Sequence, residues 1–356
     1  MNRRRMVVIS ARLCAVAVSV AALAGCGGAQ SATTSSALAS SRISPAAAGA
    51  TGSAVDDLVA AQHPDPTEFP AADGRSLNQL AQLASSSTTL WPATSTFTPG
   101  TRRFAFGVTD SAEQFVYAPT AVYMAPTQTS PAAGPFLAPA DLMGVAPPYR
   151  SVQNAGPHGL RAIYWTELPI ARPGILDVLT LSRAAGKLIA SLGEIPVAPT
   201  TPIPGVGQHP PDIATETLAS VHGDVSLLTT RIPPEQMHSI SFNQVLGKRP
   251  IALLFSTPEL CTSRVCGPVT DIMVELQHQF GSRITFIHQE IYVDNDPNKG
   301  RRPQLHAFHL ESEPWLFTIN RQGIITARLE GAFGVNEARQ ALQAALQGSK
   351  TGSAGA

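Results

Sequence analysis

One stretch decides the fold of this chain: Ile251-Ala-Leu-Leu-Phe255-Ser-Thr-Pro-Glu-Leu-Cys261-Thr-Ser-Arg-Val-Cys266-Gly-Pro-Val269. Its first five residues are apolar and predict a buried strand, and residues 269–280 carry apolar side chains at helical spacing. Two cysteines therefore lie between the end of a strand and the start of a helix. Free N–H groups and the positive end of the helix dipole stabilise a thiolate at this position, so the stretch predicts thiol–disulfide chemistry.

The spacing of the two cysteines limits where each one lies. Residues five apart in a regular helix have Cα atoms roughly 8.6 Å apart and side chains about 140° apart around the axis. A disulfide needs Cα atoms less than about 7 Å apart. If the disulfide forms, Cys261 must therefore lie in the loop ahead of the helix, with an irregular turn between it and Cys266; either the loop allows this or the oxidised and reduced forms differ locally.

The N-terminus indicates export and a lipid anchor. Residues 1–26 begin with Asn2-Arg-Arg-Arg5, continue with an apolar stretch, and end in Leu23-Ala-Gly-Cys26, which matches the bacterial lipobox. Cys26 is then the lipidated first residue of the mature protein, held at the extracytoplasmic face of the cell membrane. Once Cys14 is removed with the signal and Cys26 carries lipid, Cys261 and Cys266 are the remaining pair.

The composition sets further bounds. The chain has 356 residues, enough for two domains with linkers, and its formal net charge is zero, so nothing suggests a nucleic-acid partner. Residues 27–95 are rich in Ala, Ser, Thr and Gly and are expected to form a flexible tether. A Pro-rich linker is predicted at 201–211, and a disordered tail at 348–356.

Two folded domains are expected, an all-β immunoglobulin-like sandwich followed by an α/β domain. Residues 96–200 contain short alternating runs divided by Pro and Gly, and 161–167 is expected to pair with 175–181 across a turn at 168–174. Residues 212–347 give the element order β-α-β-α-β-β-α, with a long central strand at 284–293, a helix at 303–310, and a hairpin before the last helix. Because the linker separates the domains, we expect residues 205–350 to fold alone.

A family resemblance covers residues 205–347. It is carried by Val206-Gly-Gln-His-Pro-Pro-Asp212, by Leu246-Gly-Lys-Arg-Pro-Ile251, and by Glu313-Pro-Trp-Leu-Phe-Thr-Ile-Asn-Arg-Gln-Gly-Ile-Ile-Thr-Ala-Arg-Leu-Glu-Gly331. These segments resemble membrane-anchored TlpA/ResA-like thioredoxins and, more distantly, Sco-like and peroxiredoxin-like folds. With the lipobox and the sandwich, the chain is similar to actinobacterial thioredoxin-domain lipoproteins.

The resemblance implies a catalytic set of Cys261, Cys266 and Pro314. Cys261 follows the strand end at the same distance as the attacking cysteine of thioredoxins. In contrast, the string Cys266-Gly-Pro resembles the usual Cys-Gly-Pro-Cys and favours Cys266 as the attacking residue. Pro314 corresponds to the cis-proline that lines the thiol and exposes backbone to a substrate peptide. Glu313 departs from the usual Thr, Ile or Val, and a carboxylate there would raise the pKa of the thiol.

The leading hypothesis is thiol–disulfide exchange with exported proteins that carry thiols or disulfides, without a cofactor or a metal. One alternative is a redox-inert docking module whose Cys261–Cys266 disulfide is only structural. Another is a copper-handling protein of the Sco type, in which His306 and His309 share a helix face a few residues before the cis-proline strand and bind copper together with the thiolates.

Overall fold

The computed structural model of the chain describes residues 57–154 and 160–347. Within these ranges the fold is mixed α/β, with three sheets and few helices. No helix in them is long and apolar enough to cross a membrane. The predicted signal peptide with Cys26, residues 27–56 of the predicted tether and the tail at 348–356 lie outside the described residues.

The first part of the described chain is β-rich. Its elements are α1 (Leu77–Ala81), β1 (Ser86–Ser87), β2 (Thr89–Pro92), β3 (Gly100–Thr109), β4 (Thr120–Ala125), β5 (Ala133–Leu137), β6 (Ala140–Leu142), β7 (Ala162–Ile170), β8 (Gly174–Ala184) and β9 (Lys187–Val197). One sheet has the order β1-β9-β8-β4-β5 and the other β2-β3-β7-β6. Between them lies an apolar cluster in which Phe104, Phe106 and Tyr164 stack at centroid distances of 4.9 and 5.4 Å.

The expected pairing of residues 161–167 with 175–181 is wrong. β7 pairs with β3 and β6, whereas β8 pairs with β4 and β9, so the two segments lie in different sheets. Alternation of apolar and polar residues shows which face of a strand is buried, but it does not show which strand is its neighbour. The expected turn at 168–174 is also too long, because β7 continues to Ile170 and β8 starts at Gly174; the connection at 171–173 crosses from one sheet to the other instead of closing a hairpin.

Part of the predicted flexible tether has regular structure. Residues 57–95 contain α1, β1 and β2, and Leu58 and Ala61 pack into the apolar cluster between the two sheets. Helix α1 has a capping box, because Ser76 Oγ accepts the Gln79 N–H at 3.3 Å and the Ser76 N–H donates to Gln79 Oε1 at 2.9 Å. The tether prediction is therefore wrong for residues 57–95, because a composition rich in Ala, Ser, Thr and Gly does not exclude packed structure.

The second part is α/β. Its elements are α2 (Phe242–Val245), β10 (Ile251–Phe255), α3 (Cys266–Phe280), β11 (Thr285–Gln289), α4 (Pro303–Ala307), β12 (Trp315–Ile319), β13 (Ile325–Glu330) and α5 (Val335–Gln347). The sheet order is β11-β10-β12-β13, with β10 parallel to β11 and antiparallel to β12. The element types and order follow the sequence prediction, but β11 is shorter than the run at 284–293 and α3 begins three residues earlier than residue 269.

Both faces of this sheet are covered. Ala252 and Leu254 face the cluster formed by α3 and α5, while Leu253 and Phe255 face a second cluster that includes Phe308. The period of two along β10 sends alternate side chains to opposite faces, and burial on both faces explains its continuous apolar run. A central strand that is packed on both faces is held rigidly, so β10 fixes the starting point of the cysteine loop that follows it.

The two parts share core and polar contacts. The cluster around α3 and α5 also contains Ala105, Met143, Val145 and Ile163 from the β-rich part. Arg103 forms a salt bridge with Glu337 of α5, and the Asp141 carboxylate accepts the backbone N–H of Glu337 at 2.7 Å. The predicted linker is also docked, since the Ile325 N–H donates to the Gln208 carbonyl at 2.9 Å. These contacts argue against an independent second domain.

Candidate functional site

The cysteine loop joins the end of β10 to the start of α3. Cys261 lies in the loop and Cys266 is the first residue of the helix, as the spacing argument requires. A turn closes between them: the Arg264 N–H donates to the Cys261 carbonyl at 3.2 Å, and Arg264 has a φ of 59°. This left-handed residue redirects the chain, so that the Cys261 sulfur faces the free N–H groups of the helix start.

The environment of Cys261 favours a thiolate. The Cys266 thiol donates to its sulfur, Ser263 Oγ lies 3.2 Å away, and the backbone N–H groups of Val265 and Cys266 also donate to it. Together these donors outweigh burial and lower the pKa of Cys261 to about 5. The side chain is 7% exposed, so the sulfur is near the surface but not open to it.

Cys266 has the opposite environment. It is fully buried, and burial followed by the hydrogen bond to Cys261 raises the pKa of its thiol well above the ordinary value. Both sulfurs are free thiols, each within hydrogen-bond reach of the other. The pair thus consists of one sulfur prepared as a thiolate and one held as a thiol that donates to it.

Glu313 and Pro314 lie beside the pair. Phe255 at the end of β10 is opposite Trp315, so Pro314 lies level with the start of the cysteine loop, and the Glu313–Pro314 peptide is cis as predicted. Burial and the Cys261 thiolate raise the pKa of the Glu313 carboxyl, and its negative charge raises the pKa of Cys266 in turn. Arg301 Nη2 lies 3.8 Å from the Glu313 carboxylate and partly balances it.

A buried polar relay runs from α3 away from the cysteines. The Cys266 carbonyl accepts from Thr270 Oγ1 at 2.8 Å, and Thr270 Oγ1 lies 2.7 Å from Ser256 Oγ. Ser256 Oγ lies 3.0 Å from His288 Nε2, and His288 Nδ1 lies 2.6 Å from Glu235 Oε1. The same Glu235 oxygen lies 2.6 Å from His238 Nε2.

The charge states of the relay follow from burial and pairing. Although burial opposes it, the charge of His288 and hydrogen bonds from both histidines lower the pKa of Glu235 well below its ordinary value. Glu235 in turn raises the pKa of His288 despite complete burial, whereas burial lowers the pKa of His238. These directions favour a Glu235 carboxylate paired with a protonated His288 and a neutral His238.

Glu235, His238 and His288 also have the donor types of a metal site. Among the described residues they are the one such group found, with ligand atoms within 4.8 Å of one another. Ligands of a tetrahedral zinc ion, each about 2.0–2.2 Å from it, lie roughly 3.3 Å apart. The observed 2.6 Å separations are hydrogen-bond distances, so the group fits an ion-pair relay better.

Sequence reasoning missed the relay. The available signal was a pair of titratable residues, His288 and Glu290, inside the apolar run at 284–293, where buried charged groups need partners. Glu290 is also buried, and its carboxylate accepts from Thr230 N and Oγ1 at 2.7 Å each. The histidines that the copper alternative named, His306 and His309, form no ligand group with the cysteines within the described chain.

Comparison with known proteins adds no relative to this picture. No protein-family model matches the chain, and a search of curated proteins gives no significant match.

Proposed function

We propose that this chain is an envelope lipoprotein that exchanges thiols and disulfides with exported proteins through Cys261 and Cys266. One observation carries the proposal: a thiolate-prone cysteine in hydrogen-bond contact with a fully buried thiol at a helix start. The sheet order β11-β10-β12-β13 with α3 after β10 supports a thioredoxin-like fold for residues 212–347, and the two packed sheets support an immunoglobulin-like sandwich before it.

The exchange follows from the unequal sulfurs. The Cys261 thiolate attacks one sulfur of a partner's disulfide, that S–S bond breaks, and the partner's second sulfur leaves as a thiolate. Cys266 then loses its proton to the released thiolate and attacks Cys261 Sγ. This step forms the Cys261–Cys266 disulfide and releases the partner's first sulfur. The partner gains two electrons, and the reverse steps oxidise a partner dithiol.

Single-cysteine variants test the assignment of roles. Cys266→Ser should accumulate mixed disulfides with exported proteins, because the first adduct then has no resolving thiol, and Cys261→Ser should accumulate none. Non-reducing gels of both variants, with the double variant as control, give the answer. Adducts in Cys261→Ser alone would transfer the attacking role to Cys266.

A second candidate is a docking module with a structural disulfide, and the burial of both cysteines favours it. The absence of adducts in either variant, with the fold intact, would support this candidate. The reduction potential of the pair distinguishes the two independently, since structural disulfides typically lie below about −300 mV.

A further inference from the structure

A cleft of about 620 Å³ opens beside the cysteine loop, between the β-rich part and the α/β part. Trp91 and Phe115 of the β-rich part form one wall, and Val265 of the cysteine loop forms part of another. Glu313, next to Pro314, also lines it. A partner that reaches Cys261 from this side therefore contacts the β-rich part as well.

The aromatic wall is exposed and held in place. Trp91 is 55% exposed and Phe115 is 39% exposed, although residues of this size are usually more buried. Trp91 Nε1 donates to Thr109 Oγ1 at 2.8 Å. Gly107 is the strand partner of Trp91, and a Cβ at Gly107 would come within 3.1 Å of the Phe115 ring. The missing side chain at Gly107 thus lets Phe115 lie close to the sheet. Rigid aromatic surfaces of this kind bind apolar side chains at low entropic cost.

The charged residues that line the cleft are all acidic. They are Glu113, Glu313 and Glu330, and no described lysine or arginine lines it, although Arg301 lies 3.8 Å from the Glu313 carboxylate and partly balances it. Glu330 is fixed, because its two oxygens accept the N–H groups of Ser95 and Thr96 at 3.0 Å each. A Cys261 thiolate adds a further negative charge next to the cleft. A basic group on the partner would offset this charge and help a partner thiol to leave as a thiolate.

We propose that this cleft docks an extended polypeptide segment in which a cysteine is flanked by a large apolar residue and a basic residue. The apolar side chain lies against Trp91 and Phe115, and the basic side chain faces the three glutamates. The inference deepens the proposed function and rests on it, since it gives the β-rich part the role of selecting partners for the cysteine pair.

Peptide binding tests docking without the chemistry. The probe is a short synthetic peptide with serine between tryptophan and lysine, the serine standing where the cysteine of the proposed segment would be. Its binding to the full chain is measured by titration calorimetry. We expect Trp91→Ala to weaken binding about tenfold, as for a central aromatic contact. The matched control, Ile175→Ala, removes an exposed apolar residue that does not line the cleft and should leave binding unchanged.

Peptide variants test the charge argument. Replacing lysine by glutamate in the probe should weaken binding at low salt, and the difference should shrink at high salt because screening weakens exposed charge pairs. Glu113→Gln should reduce the preference for the lysine peptide. Equal binding of both peptides, no binding of either, or equal binding by Trp91→Ala and the unaltered chain would each overturn the proposal.

Exchange kinetics separate this inference from the proposed function. With cysteine restored and coupled to glutathione as a mixed disulfide, the peptide should react with Cys261 faster than glutathione disulfide does. Trp91→Ala should remove that difference in rate, whereas the control Ile175→Ala should preserve it. If the peptide disulfide reacts no faster than glutathione disulfide, the docking proposal is wrong and the proposed function stands. If the peptide binds in a way that depends on Trp91 but no exchange occurs, the proposed function is wrong and the docking surface stands.

Discussion

Each cysteine at the site depends on the other for its properties. The largest contribution to the low pKa of Cys261 is the hydrogen bond from the Cys266 thiol, followed by smaller contributions from Ser263 and the backbone. In the proposed exchange, the resolving cysteine would therefore also activate the attacking one. Cys266 donates because burial keeps it protonated, so the two opposite pKa directions have a common cause in the geometry of the pair.

Removing that donor should weaken the thiolate. In the reduced chain, alkylation of Cys261 by iodoacetamide should rise with pH around a midpoint of about 5. Cys266→Ala should move the midpoint up toward the ordinary 9.0, and Cys266→Ser, which keeps an O–H donor, should move it less. Mass spectrometry of the Cys261 peptide across a pH series measures both. An unchanged midpoint in Cys266→Ala would show that Ser263 and the backbone set the pKa without the Cys266 thiol.

At the scale of elements, the buried relay connects α3, β11 and the segment before α2. His288 lies in β11, Glu235 and His238 come from that segment, and Thr270 lies on α3. Buried charges are costly to leave unpaired, so the ion pair fixes these elements relative to each other more specifically than apolar contact does. The relay ends at the carbonyl of Cys266 and thus supports the helix turn that carries the site.

Breaking the relay should destabilise the fold. Glu235→Gln leaves a buried imidazolium without its carboxylate and should lower the free energy of unfolding at pH 7 by about 3 kcal/mol or more. Urea denaturation measures this change. The matched control is Glu311→Gln, because the Glu311 side chain is 96% exposed and should change stability little. Equal stability of the two variants would show that the ion pair does not stabilise the fold.

The pH dependence of the relay has a defined sign. The folded pKa of His288 is raised above its ordinary 6.5. Its contribution to folding stability is therefore complete below pH 6.5 and is lost as the pH rises through the folded pKa. The folded pKa of Glu235 is lowered below 4.5, so its contribution is present above that value and is lost as the pH falls through the folded pKa. The unaltered chain should therefore exceed Glu235→Gln in free energy of unfolding by the largest amount between about pH 4.5 and pH 6.5.

At the scale of the whole molecule, the shared core changes the expectation of two independent domains. Residues Met143 and Ile163 of the β-rich part lie in the same apolar cluster as Ile272 and Leu342 of the α/β part. The fragment 205–350 would expose this surface. We expect it to unfold at a lower temperature than the full chain or to aggregate, and calorimetry of both proteins tests this. A fragment as stable as the full chain would restore the two-domain view.

The lipid anchor is also a property of the whole molecule, and it stays a prediction from the motif that ends at Cys26. Cys26→Ser should leave the protein unprocessed or release it from the membrane, because the acceptor thiol for lipid is absent. Detergent phase partitioning of the mature protein measures the difference, with Cys14→Ser as the control inside the removed signal. Equal partitioning of Cys26→Ser and the unaltered chain would refute lipidation.

The sequence determined the features that depend on local pattern. Apolar periodicity predicted β10, α3 and α5, and the distance from the strand end placed Cys261 in the loop ahead of the helix. The cis conformation before Pro314 was implied by the family resemblance, which rests on the local segment at 313–331. These features depend on residues close to one another in the chain, which is why they were accessible without a structure.

Tertiary structure alone decided the features that join distant segments. The pairing of β7 and β8, the relay between Glu235 and His288, and the cleft shared by Trp91 and Val265 each bring together residues far apart in sequence. Periodicity reports which face of an element is buried, but not what covers that face. The local sequence therefore decides where the sulfurs lie and which donors lower the pKa of Cys261, while long-range packing buries Cys266 and forms the surface that faces the pair.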